Sequence, residues 1–293
     1  MDALPVAVRP VDTPTSPRCA LPTNACDAHI HMVADDYPLW SKRVEDPSPG
    51  TLVDWVERLE HHLKTLAFSR VVIVHSILYG GDNAVTIDGV AKIGLERARG
   101  IGLVTDSATD AELDALASGG ISGIRLNYVH GGILSWAGVR NMAPRLAERG
   151  MHVQMLMNAD KHLAEIADDV AKLEVPVVFD HIGWPDIDAG TDEPGFERLR
   201  RLVADGDVYV KLSGIYRVSD APYDAAAAHV SALAAANPDR CLWGSDWPHL
   251  MLGDARQPDA GVLLNAFLDT VTASDQRERI LSTAPGLLYG FDT

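Results

Sequence analysis

Apolar and polar positions along this chain alternate between two rhythms. Short runs rich in Val, Ile and Leu recur at 25–31, 71–75, 101–105, 123–127, 152–157, 175–180, 208–213 and 241–245. Runs of this length bounded by turn residues read as strands buried on both faces. Between them the apolar positions take a helical period, as in Leu52, Trp55, Val56, Leu59, Leu63 and Leu66, or Leu163, Ile166, Val170 and Leu173, each set forming one stripe on a helix. Thr51 with Asp54, and Thr109 with Glu112, have the spacing of a capping box and mark two helix starts. Eight strand and helix pairs predict a single (β/α)8 barrel. A doubly wound open sheet is the alternative, and no GxGxxG follows the first strand to favour it. No composition break divides residues 24–293, which read as one domain, while 1–23, with Pro5, Pro10, Pro14, Pro17 and Pro22, reads as an N-terminal extension.

Charge and composition narrow the partners. The 293 residues carry 25 Lys and Arg against 41 Asp and Glu, a net charge of −16, which repels a phosphate backbone and argues against nucleic acid. No apolar run approaches the roughly 18 residues of a membrane span, and the Pro-rich start has no apolar leader core. Three cysteines, Cys19, Cys26 and Cys241, are an odd number without a secretory leader, the pattern expected of a cytoplasmic protein with free thiols.

In a barrel of this kind, reactive groups project from the C-terminal ends of the strands, and here those ends are polar. Strand one ends in His29-Ile30-His31, whose period of two places both imidazoles on one face. Strand two ends in His75, strand four carries Arg125 and Asn127, strand six ends in Asp180-His181, and strand eight in Ser245-Asp246. One buried His is usually a satisfied structural group. Two on the same face of a fully buried strand cost desolvation unless they bind something, and His181 and Asp246 strengthen that reading. Arg125 on its strand must meet an anion or a buried carboxylate. Arg217 lies in the loop after strand seven. Lys211 reads as a structural ion pair, and His61, His62, His162 and His229 as helical surface residues. His75, Ser76, Asn127, Tyr216, Trp184 and Tyr37 are the candidate walls of a substrate pocket.

Asp27-Ala28-His29-Ile30-His31, Phe179-Asp180-His181-Ile182-Gly183-Trp184-Pro185-Asp186 and Trp243-Gly244-Ser245-Asp246-Trp247-Pro248-His249 together resemble the amidohydrolase superfamily. More narrowly they resemble its lactone-acting branch of pyrone-dicarboxylate hydrolases, sugar lactonases and sugar-lactone isomerases, over nearly the whole chain. The resemblance implies a barrel fold, catalytic positions for His29, His31, His181 and Asp246, and substrate carboxylate or hydroxyl groups at Arg125 and Arg217. The Ser76 region and the Asp82-Asn83 pair also fit it. Two departures bear on the substrate. Where pyrone-dicarboxylate hydrolases carry further arginines, this chain has His130-Gly131-Gly132 and Trp184, so a second carboxylate would lack a partner. Gly131-Gly132 and Gly214-Ile215-Tyr216 look like the isomerases, whereas the full His-x-His and Asp246 agree with the hydrolases.

A two-metal site needs a bridging Lys or Glu at strand four and a His at the end of strand five. This chain has Arg125 there, and His152 at the opposite end of its strand. One Zn²⁺ on His29, His31, His181 and Asp246 is chemically sufficient, but no metal is favoured, because a lactone is already an activated ester. The expected activity is therefore hydrolytic opening of a small carboxylated or polyhydroxylated lactone, with Asp246 as general base and His29, His31 and His181 polarising the carbonyl. The alternatives are lactone isomerisation by intramolecular acyl transfer, a zinc-dependent decarboxylation, and a barrel that binds a small molecule without chemistry. The partner expected is a small-molecule lactone.

Overall fold

The computed structural model describes residues 4–291 apart from 130, 207 and 254; His130 of the sequence pattern thus lies outside the described residues. Eight strands form one parallel sheet in the order of the sequence. They are β1 (Cys26–Ile30), β2 (Arg70–Val74), β3 (Ala98–Gly102), β4 (Ile121–Asn127), β5 (His152–Leu156), β6 (Val177–Phe179), β7 (Val208–Leu212) and β8 (Cys241–Trp243). The intervening helices are α1 (Leu52–Leu66), α2 (Ala84–Ile93), α3 (Asp110–Ser118), α4 (Trp136–Ala147), α5 (Ala159–Val170), α6 (Pro194–Asp205) and α7 (Asp224–Ala236), with α8 (Ala260–Thr270) after the last strand. This is the expected (β/α)8 barrel. Both capping boxes are present, Thr51 with Asp54 on α1 and Thr109 with Glu112 on α3. No helix among the described residues is long and apolar enough to cross a membrane, and the three cysteines are free.

Most strands fall within two residues of their expected bounds, and the largest displacement is at β3. The apolar run 101–105 suggested β3 there, but the strand spans Ala98–Gly102. Asn83 explains the early end: its side-chain oxygen accepts from the Leu103 N–H at 2.8 Å and its amide donates to the Leu103 carbonyl at 2.9 Å. A side chain thus takes over the backbone groups that a ladder would otherwise satisfy.

Core packing has two parts. Most buried apolar side chains lie between sheet and helices, while Cys26, Ala28, Val72, Val74, Ile101, Val178, Tyr209 and Leu242 form a smaller cluster with Tyr289 and Phe291. The register of β1 against β2 shifts between Asp27 and Ile30, and this irregularity breaks strict alternation. Asp27 faces His62 of α1 at 3.6 Å, whereas His29 faces Asp180 at 3.3 Å and Asp246 at 3.5 Å. His62 and His229 are buried, so two of the four histidines expected on helix surfaces are not there; His62 pairs with Asp27 and His229 packs on Phe196.

The sheet closes at the β1–β8 edge through individual bonds. The Asp246 N–H donates to the His29 carbonyl at 2.8 Å, the His31 N–H to the Trp247 carbonyl at 2.7 Å, and the Ser245 N–H to the Asp27 carboxylate at 2.9 Å. Gly244 permits this approach, since a Cβ there would stand 2.5 Å from the His29 Cβ and 2.8 Å from its nitrogen. Substitution Gly244→Ala is expected to cost about 1–3 kcal/mol by overpacking and to lower the melting temperature by several degrees. An unchanged melting temperature would show that the two strands do not meet as described.

Candidate active site

Nine of the twelve residues singled out in the sequence line a single cavity of about 510 Å³: His31, His75, Ser76, Arg125, Asn127, His181, Trp184, Arg217 and Asp246. His29 and Tyr216 stand directly behind, in contact with Asp246. Tyr37 does not join them. Its hydroxyl donates to Asp88 at 2.6 Å, which holds the ring away from the cavity wall.

Asp246 is the centre of the arrangement. One carboxylate oxygen, Oδ1, lies 3.3 Å from Nε2 of His31 and 3.5 Å from Nε2 of His29. The other, Oδ2, accepts from the Tyr216 hydroxyl at 2.6 Å and from Arg217 at 3.0 and 3.3 Å, with His181 Nε2 at 3.8 Å. Burial alone would raise the carboxyl, but His181 and the Arg217 guanidinium overcome it and hold Asp246 well below the ordinary carboxylate range. Burial, with the Asp246 charge behind it, pushes the Tyr216 hydroxyl well up, so Tyr216 stays a donor.

The histidines are set by their second nitrogens. His31 Nδ1 is 2.7 Å from the Val74 carbonyl oxygen, an acceptor only, so Nδ1 carries the hydrogen. In the neutral ring Nε2 then presents a lone pair towards Asp246, an arrangement that is favourable when a proton or a cation is shared between them. His181 Nδ1 is 3.0 Å from the Ser213 hydroxyl, and burial brings this imidazole down to about 4, neutral at ordinary pH. Burial, reinforced by Lys211, also keeps His29 neutral. His75 borders the cavity, but its nitrogens are engaged by Thr86 at 2.9 Å and the Gly80 carbonyl at 3.1 Å, so it acts as wall.

Sequence reading missed the polar layer beneath. The wholly buried Lys211 ammonium lies 2.6 Å from the Gln154 side-chain oxygen, 3.4 Å from His29 Nδ1 and 3.9 Å from Asp180. Gln154 in turn donates to Asp180 at 3.2 Å, and Arg125 reaches the same carboxylate at 3.5 Å. Lys211 is therefore an ion-pair partner as expected, but one that packs against a candidate catalytic ring. A polar residue at every second position of strands read as apolar, as in Gln154 and Lys211, was the signal. Arg217 borders the cavity, and its donors also reach Asp246 and the Leu250 and Met251 carbonyls.

His29, His181 and Asp246 each offer a ligand atom within 4.8 Å of the others, and His29 Nε2 and Asp246 Oδ1 are buried without a hydrogen-bond partner among the described residues. Neutral imidazoles around an ionised carboxylate fit one divalent cation. His152, by contrast, packs on Tyr289 at the start of its strand.

Buried neutral histidines link stability to pH. Burial lowers His75 and His181 from 6.5 to about 4, and His152 and His249 to about 3. The unfolded chain takes up protons near 6.5 while the folded one resists until far lower, so stability is full above about 6.5 and falls as the solution is acidified below it. Thermal denaturation from pH 7.5 to 4.5 is expected to show a steadily falling melting temperature; a flat profile would mean that these rings are solvated.

The amidohydrolase family profile matches residues 26–291. A 4-sulfomuconolactone hydrolase of Rhizobium radiobacter is 34% identical over 279 residues, covering 92% of this chain and 91% of that one. A 2-pyrone-4,6-dicarboxylate hydrolase of Comamonas testosteroni is 29% identical, with 94% and 93% covered. Among solved structures, an apo protein of Agrobacterium tumefaciens superposes with a TM-score of 0.81 at 24% identity, over 95% of this chain and 98% of that one, a likeness of fold.

Proposed function

The chain belongs to the amidohydrolase family, and from that premise we propose that it opens a small carboxylated lactone by hydrolysis, with Asp246 as general base. The observation that carries this reading is the Asp246 carboxylate, buried yet held ionised by Arg217 and Tyr216 and faced by three imidazoles at the floor of the cavity. Relatives named for lactone hydrolysis, aligned over nine-tenths of the chain, support the substrate class.

Asp246 takes a proton from the water that attacks the lactone carbonyl, the His31 Nε2 lone pair accepts the second hydrogen of that water, and the tetrahedral oxyanion forms against His181. With the Ser213 hydroxyl donating to Nδ1, the neutral His181 presents Nε2–H to that oxygen. When the intermediate collapses, the ring C–O bond breaks and the proton on Asp246 passes to the departing alkoxide. The product is a hydroxy acid, and the base returns to its ionised form. Donors aimed at the developing oxyanion are usually the largest single contribution to lowering such a barrier. Arg125 orients the substrate carboxylate, while Trp184, Ser76 and Asn127 border the ring. A single Zn²⁺, held by His29, His31, His181 and Asp246, would polarise the carbonyl and acidify a water when bound.

Substitution Asp246→Asn is expected to reduce turnover by about 10²–10⁴-fold in a protein that still folds, with a lower melting temperature because Arg217 loses its buried partner. Acid release from a panel of muconolactones, sugar-acid lactones and pyrone carboxylates, followed by a pH indicator with and without chelator, reads this out. Undiminished activity in the variant would remove Asp246 from the reaction. Conversion of a lactone without acid release would favour ring exchange over hydrolysis.

A further inference from the structure

A chain of net charge −16 encloses a cavity bordered by four cationic side chains, Lys42, Arg43, Arg125 and Arg217, and among the described residues one carboxylate, Asp246. Two of the cations are committed. Arg217 serves Asp246 and two carbonyls, and Arg43 holds Asp46 at 2.6 Å and the Trp40 carbonyl at 3.1 Å. The other two are under-neutralised. Arg125 shares Asp180, at 3.5 Å, with His29 and Lys211, and its buried Nε has no partner among the described residues. Lys42 is exposed at the rim, its ammonium 5.9 Å from the centre of the Trp40 ring, and no ion pair engages it among the described residues.

The segment bearing Lys42 is fixed from both sides. The Trp40 N–H donates to the Leu78 carbonyl at 2.8 Å. Further on, the N-terminal extension runs alongside: the Ala7 N–H donates to the Asp46 carbonyl at 2.8 Å, the Asp46 N–H to the Pro5 carbonyl at 2.8 Å, and the Ser48 hydroxyl to the Ala7 carbonyl. From the loop after β8 the Met251 N–H donates to Glu45 at 2.9 Å. An anchored backbone fixes where the Lys42 stem leaves the wall, so the ammonium stays within reach of the cavity mouth and no carboxylate competes for an incoming anion.

We propose that Lys42 is a specificity-determining residue that binds a second anionic group, so that the cavity takes a small ring bearing two anions, one on Arg125 and one on Lys42. The inference rests on the lactone reading for its chemistry. It reverses the expectation that a second carboxylate would find no partner, because that partner comes from the loop after β1 instead of the loop after β4.

Stable ring acids test the subsite without turnover. Calorimetric affinities of the full chain for benzoate, phthalate, isophthalate and terephthalate are compared at fixed ionic strength. The wild type is expected to bind at least one dicarboxylate about tenfold more tightly than benzoate, a 1.4 kcal/mol difference. In Lys42→Gln that preference falls to about twofold or less, and in Lys42→Arg it persists, with melting temperatures confirming folded variants. No dicarboxylate preference in the wild type, or one undiminished in Lys42→Gln, overturns the proposal. Acid release from lactones is scored separately, so a Lys42-dependent preference with no lactone turnover would fail the lactone reading alone.

Discussion

Closure of the barrel between its first and last strands is the constraint on which the site depends. A parallel sheet of eight strands leaves two edges, and their backbone groups must be paired once helices cover the outside. Here the pairing is made by the Asp246 N–H on the His29 carbonyl and the His31 N–H on the Trp247 carbonyl. The bonds that close the sheet therefore bring two histidines of β1 against the carboxylate that follows β8. Fold and site are one set of contacts, and neither can shift without the other.

Such closure leaves charged side chains with almost no exposed surface. Asp180, Asp246 and Lys211 are wholly buried, and each would be costly alone. They persist as a layered network: Lys211, Gln154 and Asp180 beneath His29, with Asp246, Tyr216 and Arg217 above. Backbone conformation is strained at the same level. Of nine non-glycine residues with positive φ among the described residues, six are His181, Ile182, Trp184, Asp246, His249 and Met251, all in the turns after β6 and β8. Strain of this kind holds only where packing over-determines it. It aims His181 and Asp246 at each other across a turn whose Gly214, itself at φ 64°, leaves no room for a Cβ against the His181 ring.

Much of this was legible from residue pattern. Eight apolar runs gave eight strands, two Thr-x-x-acid spacings gave two capped helices, and polar residues at strand ends converged on one cavity. What escaped was set by tertiary contact. The end of β3 depends on Asn83, twenty residues earlier; the inward turn of His62 depends on the β1 irregularity that sends Asp27 outward. A loop position likewise says nothing of the Leu250 and Met251 carbonyls that the Arg217 fork finds. Tyr37 was taken for a pocket wall on position alone, and Asp88 claimed its hydroxyl. Lys42 lies in a stretch without period, 37–43, where nothing local indicates which side chain faces the cavity.

The account centres on water attacking a lactone carbonyl above Asp246, and isotope tracing tests it most directly. Turnover of a lactone substrate in H₂¹⁸O, followed by mass spectrometry of the hydroxy acid, should place one ¹⁸O atom in the newly formed carboxylate. Label in the product hydroxyl, or a product without label, would contradict attack by water at the carbonyl.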